Sequence, residues 1–289
     1  RYWQILPLTP TGYGDSPYQS LGACAGNHYL IDLDRLADEG LLKKEEIQNI
    51  PWGSNPARVD FGAMYAHRMN VLRLAFQRFA PDEAYETFVE QNRSWLEDYA
   101  LFTALKDTLG GKPWLEWPEA LRLRKADALT EKRRELSDEI RLQYFVQYEF
   151  DRQWKALRSY ANAKGVRIIG DVPIYVPLDS ADVWANPELF QLDESRHPEQ
   201  VAGCPPDSFT ADGQLWGNPI YDWKKMAQTH YFWWIQRLTA AGKLYDVIRL
   251  DHFRGFEAYW EVPFSSPDSS YGSWTQGPGL KLFKTLEEK

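Results

Sequence analysis

The segment Asp246–Phe256, DVIRLDHFRGF, holds the densest chemistry in the sequence. Its first six residues alternate like a strand, which puts Val247, Arg249 and Asp251 on one face. Residues two apart lie roughly 6.6–6.8 Å apart along a strand, so Arg249 can reach Asp251 or an anion beside it. A neighbouring guanidinium favours the carboxylate form. An ionised carboxylate is what covalent catalysis needs as a nucleophile. The same spacing also fits a structural Arg–Asp pair closing a strand. His252 follows the acid directly; the five histidines show no metal-ligand spacing.

Three further clusters carry chemistry more weakly. Gly170–Tyr175 sets Asp171 where a strand leaves its sheet, as a site acid or as a turn former. Gly213–Tyr221, GQLWGNPIY, frames Trp216 with glycines and a proline. That frame either holds an indole out for stacking or anchors a loop. Thr11–Ser20 sets Tyr13 and Tyr18 in a rigid turn with Ser16. No Ser-His-Asp or Cys-His arrangement follows from local spacing, and Ser16 sits in no G-x-S-x-G elbow.

These groups need a scaffold. The 289 residues suffice for one large domain, or one domain with an insertion. Trp3–Leu8 reads as a short buried strand. Helical spacing follows over 58–79, 83–109 and 130–163, interrupted by Gly110-Gly111-Lys112-Pro113. Val166–Asp171 and Asp246–Asp251 read as buried strands ending in an acid. Between them, 177–228 reads as a long active-site loop or lid, and then a helix over 229–242. Two parallel-type strands, each preceded by a helix and each ending in Asp, suggest a (β/α) barrel, whose catalytic acids sit at strand C-termini. A doubly wound sheet is the alternative, but no glycine-rich phosphate loop follows any strand.

Composition narrows the function. A formal net charge of −8 argues against nucleic acid as the main partner. No apolar run approaches the roughly 18 residues of a membrane span. Cys24 and Cys204 form neither a disulfide framework nor a zinc motif, and no signal segment is evident. The expected compartment is the reducing cytoplasm. Thirteen Trp, 16 Tyr and 14 Phe indicate a large aromatic core or a ring-lined surface for sugars. Both ends look cut: residue 1 is Arg with a strand-like run starting at Trp3, and the chain stops three residues after the helix over 280–286.

In order, WQILPLTPTGYGDSPYQS, GDVPIYV, GQLWGNPIYDW, YDVIRLDHFRGF and WTQGPG resemble the 4-alpha-glucanotransferases, or amylomaltases, glycoside hydrolase family 77 of the alpha-amylase clan. The resemblance implies an α/β fold, a (β/α)₈ barrel that passes a segment of an α-1,4-glucan to the 4-hydroxyl of an acceptor sugar. It implies Asp251 as nucleophile, with Arg249 and His252 beside the substrate and Asp171 lining the donor subsite. Gln214 and Trp216 would lie on a loop covering the glucan. Ser16 and Tyr18 would lie on the first active-site loop, and Tyr13 at a secondary glucan site. The partners implied are α-1,4-glucans and maltooligosaccharides, with glucose or maltose as acceptor; no cofactor and no metal are implied.

The pattern departs from the family in two respects. The family's acid/base Glu, in a strand of the form AEDLG, does not occur, nor does its first barrel strand. The expected organisation is an incomplete barrel: 1–34 as its first part, 35–163 as a mainly helical insertion, and 164–289 as its continuation with the active-site loop 200–222. The acid/base would lie beyond Lys289. An α-glucan hydrolase of the same clan and a non-catalytic glucan-binding protein are the alternatives.

Overall fold

A computed structural model describes residues 1–288. Two sheets organise the chain. The first is parallel, with strands β1 (Tyr2–Gln4), β2 (Arg167–Pro173) and, later in the chain, β5 (Val247–Asp251) in the order β1-β2-β5. Trp3 is level with Ile168, and Asp171 with Arg249. The central strand must admit a close neighbour. A Cβ at Gly170 would meet the Tyr245 ring at 2.1 Å, so only glycine lets that ring lie against β2. The Tyr245 hydroxyl in turn accepts from the Leu8 N–H at 3.2 Å.

The helices Ser137–Ala163 and Phe232–Leu244 pack against this sheet, and further helices pack outside them. Phe61–Arg78 and Glu83–Thr108 begin where Asp60 and Asp82 accept from the Ala63 and Tyr85 N–H groups, each satisfying an otherwise orphaned donor. The helix expected over 130–163 is two, Ala126–Glu135 and Ser137–Ala163, parted at Leu136. Lys132, Arg133 and Arg134 close the first while Asp138 and Glu139 open the second. Both sets match the sign of the helix dipole, which stabilises two ends at that point.

One core joins Leu36, Leu72 and Phe145 to Ile168 and Val172 of β2. A second gathers Phe102, Trp114, Trp184, Tyr221, Trp234 and Phe256. Full burial of each such side chain contributes roughly 1.5–3 kcal/mol. The aromatic load is thus divided: many rings are core, whereas others, among them Trp3, Tyr18, Phe209 and Trp274, are exposed.

The span 177–228 is not the long loop expected of it. It holds β3 (Gln200–Cys204) and β4 (Gln214–Pro219), which join β6 (Ala258–Pro263) and β7 (Ser273–Gln276) in an antiparallel sheet of order β4-β3-β6-β7. Gly213 makes the β3–β4 turn possible: its φ is +68°, and a Cβ there would meet the Cys204 carbonyl oxygen at 2.3 Å. This sheet carries Gln214 and Trp216 to the end of the parallel strands. No helix is long and apolar enough to cross a membrane among the described residues.

Candidate active site

Parallel pairing of β2 with β5 sets Asp171 beside Arg249 and Pro173 beside Asp251 at the strands' C-terminal ends. Arg249 serves both acids. Its Nη1 donates to Asp171 Oδ1 at 2.7 Å and its Nη2 to Asp251 Oδ1 at 2.6 Å. The Tyr18 hydroxyl donates to the other Asp171 oxygen at 2.9 Å. Both Asp171 oxygens are thus engaged and the residue is only 4% exposed, whereas the Asp251 side chain is 37% exposed. Among the described residues, Oδ2 of Asp251 has no hydrogen-bond partner in the protein. This difference separates their uses: Asp171 can hold its neighbours in place, and Asp251 can reach a ligand.

Charge in the site is held by these contacts. Asp171 first, then Asp251, push the Arg249 guanidinium above its ordinary value and keep it protonated. The Tyr18 phenol is pushed up to about 12, by partial burial first and then by its bond to Asp171. It remains a neutral donor at physiological pH. His252 is held below the usual histidine range by burial, which the Asp251 charge only partly opposes.

Aromatic rings wall the site. Tyr18, Tyr175, Trp216, Asp251 and His252 line an open cleft of about 470 Å³, within the usual range for ligand sites. The Trp216 and His252 rings meet edge to face, 4.9 Å apart at 90°. The Trp216 indole N–H donates to Gln214 Oε1 at 3.0 Å. His252 adopts the left-handed conformation at φ 51°, a strained geometry for a non-glycine residue and one concentrated at functional sites.

The structure therefore brings together Tyr18, Asp171, Trp216, Arg249, Asp251 and His252, with Gln214 attached through Trp216. Ser16 stands one step back, its Oγ accepting from the Tyr18 N–H at 3.2 Å and fixing the turn. The Tyr13 side chain lies outside the described residues. Its turn is tied down by a hydrogen bond from Tyr65 to Asp15. Gln214 and Trp216, expected on a loop, lie on strand β4. Tyr175, Leu215 and Asn218 also line the cleft, and sequence reasoning missed them. The run Pro173-Ile174-Tyr175 after a site acid was the available signal for the first. Among the described residues, no group of three or more His, Cys, Asp or Glu side chains could hold a metal ion.

Comparison with known proteins gives this geometry its family. The sequence profile described as 4-alpha-glucanotransferase, of glycoside hydrolase family 77, matches residues 1–289. The chain belongs to this family. It is 51% identical to the 4-alpha-glucanotransferase of Thermus thermophilus, over all of this chain and 58% of that protein. It is 47% identical to the enzyme of the same name from Clostridium butyricum, over all of this chain and 60% of that protein. Among solved structures, the amylomaltase of Streptococcus agalactiae in complex with acarbose superimposes with a TM-score of 0.96 at 45% identity, covering all of this chain and 59% of that one. The chain thus spans about 60% of the length of the curated relatives it matches.

Proposed function

We propose that this chain carries the nucleophile-bearing part of a retaining 4-alpha-glucanotransferase, acting on α-1,4-glucans and maltooligosaccharides. The observation that carries the reading is Arg249, which binds a buried Asp171 with both oxygens engaged and an open Asp251 at the ends of adjacent parallel strands. In this reading Oδ2 of Asp251 attacks the anomeric carbon of a bound glucan. The glycosidic oxygen leaves with a proton from an acid, and a glucosyl ester forms on Asp251. The 4-hydroxyl of an acceptor sugar then displaces the carboxylate and gives its proton back to the acid's conjugate base. Arg249 keeps Asp251 ionised and aimed. Tyr18 and Trp216 offer flat faces to sugar rings, Gln214 holds the indole, and His252 contacts the substrate. Glucose or maltose serves as acceptor, and Tyr13 lies at a secondary glucan contact.

Retaining chemistry needs two carboxyl groups about 5–5.5 Å apart. Among the described residues, the cleft lining includes Asp251 and no glutamate. The acid/base residue would therefore be supplied by sequence outside these residues. The scaffold we propose is part of a (β/α)₈ barrel, with 1–34 and 164–289 contributing to it and 35–163 a mainly helical insertion. Exposed Tyr2 and Trp3 on β1, Leu6 just beyond it, and Val247 on β5 support further strands on both edges. The acarbose bound by the Streptococcus agalactiae amylomaltase supports an oligosaccharide ligand here.

Incubating with maltotriose a protein of the relatives' full length, one that includes the segment supplying the acid/base, tests the reading. Glucose together with chains longer than the substrate is the expected result. Reducing ends that rise without longer chains would indicate a hydrolase, and binding without turnover a glucan-binding protein.

A further inference from the structure

Tyr175 has no role in the chemistry above, yet it stands behind two residues that do. It follows Asp171 by four positions and is only 5% exposed. Its ring lies 6.4 Å from Trp216, 6.5 Å from His252 and 5.9 Å from Tyr221, stacked on the last at 23°. Trp216 and His252 also touch each other, so the three rings close a triangle. The triangle rests on a rigid base. Arg237 donates to the Pro173 carbonyl at 2.7 Å and to the Ile174 carbonyl at 3.0 Å, and the Tyr221 hydroxyl donates to Ile174 at 2.8 Å. These bonds fix the backbone immediately before Tyr175. Gly255 packs closely on the neighbours of that ring: a Cβ there would meet Ile174 Cδ1 at 2.8 Å and His252 Cδ2 at 3.0 Å.

We infer that Tyr175 is a positioning residue whose ring holds Trp216 and His252 in register, and so sets how well water is kept out in favour of an acceptor sugar. The inference rests on the transferase reading. A flat, immobile ring is suited to backing an indole and an imidazole at once; a flexible aliphatic side chain leaves both free to move. The ring rather than the hydroxyl does this, because the Tyr175 hydroxyl is buried with no hydrogen-bond partner among the described residues. Burial first, then Tyr221, Tyr259 and Glu261, push that phenol upward, so it stays neutral. Removing an unpaired buried hydroxyl is close to neutral or stabilising.

The test compares a parent of the relatives' full length, one that includes the segment supplying the acid/base, with its Tyr175→Leu, Tyr175→Phe and Leu105→Ala variants, the last a core truncation in the helix Glu83–Thr108. Tyr175→Met is the substitute if the leucine variant does not fold. Two quantities are read: the ratio of transfer to hydrolysis on maltotriose, and the titration of the His252 ring by NMR. Asp251 and Arg254 face that imidazole from its own segment; Tyr175 and Trp216 face it from the exit of β2 and from β4, neither charged at neutral pH. Loss of the ring admits water, which relieves the desolvation that holds His252 down, so its titration moves upward.

The expected result is a ratio lowered by about fivefold or more in Tyr175→Leu with an upward His252 titration, both restored in Tyr175→Phe. Leu105→Ala should lower thermal stability and move neither. A folded Tyr175→Leu with a ratio within about twofold of the parent and an unmoved His252 overturns the inference. A parent that neither transfers nor hydrolyses overturns the activity reading instead. The His252 titration then still decides the positioning: a shift confined to the ring-deleted variant supports it, and no shift refutes it.

Discussion

At the scale of single residues, the site turns on one guanidinium shared by two acids. A lysine at 249 offers a compact point charge and cannot bridge Asp171 and Asp251 in the planar geometry Arg249 uses. Arg249→Lys should lower kcat/KM for transfer by roughly 10²-fold or more, the scale of losing an oriented charged contact in a transition state. Its thermal midpoint should stay near the parent's, because the Arg249 side chain is 45% exposed. Equal activity in the two proteins, measured as glucose release from maltotriose, would remove Arg249 from the mechanism. The pair Arg249–Asp251 was legible in the sequence, since strand alternation places residues two apart on one face. Asp171 as the guanidinium's other partner was not legible. It depends on the register between two strands 78 residues apart, which no local spacing encodes.

At the scale of elements, two charged contacts lock the strand that bears Asp251 and the loop that leaves β2. Asp246, just before β5, accepts from the Ile168 N–H at 2.8 Å, from Arg158 at 2.7 Å and from Asn162 at 2.9 Å. Burial alone would raise its pKa, but the Ile168 bond, then Arg158 and Asn162, outweigh it and depress the value to about 2. A carboxylate depressed in the folded state contributes stability above its unfolded value of about 3.9, and this is lost as pH falls toward the folded value. Asp246→Asn should therefore destabilise by on the order of 2 kcal/mol at neutral pH, and the gap to the parent should close between about pH 4 and pH 2. A gap in thermal midpoint that stays constant across that window would refute the linkage.

The second contact is Lys106, which bonds Asp179 at 2.5 Å with both side chains largely buried. Asp179 also accepts from the Trp114 N–H at 3.1 Å, so the helix Glu83–Thr108 holds the segment after β2. Lys106→Met leaves that carboxylate buried and unpaired, and should cost roughly 3–5 kcal/mol by denaturant unfolding. A cost below about 1 kcal/mol would mean the pair is solvated in practice. The long helices were legible from their periodicity, and the strands β2 and β5 from their apolar runs. Strands β3 and β4 were not. Their segment is rich in Gly, Pro and Asp, and they are held by pairing with β6 and β7 rather than by local preference.

At the scale of the whole molecule, the antiparallel sheet brings Trp216 over the ends of the parallel strands, and the cleft exists only because both are present. Trp216→Ala opens that wall. Transfer should fall more than hydrolysis, because admitted water competes with the acceptor sugar. Equal losses in both, with a lower thermal midpoint, would make the indole a packing group only. The central claim is the covalent role of Asp251. Its most direct test is to trap the intermediate in the full chain with a fluorinated α-glucosyl fluoride that forms the ester faster than it breaks down, then map the labelled peptide by mass spectrometry. The account predicts one added glycosyl unit on Asp251, absent in Asp251→Asn. A label on Asp171 or elsewhere, or an active protein that never becomes labelled, would contradict it.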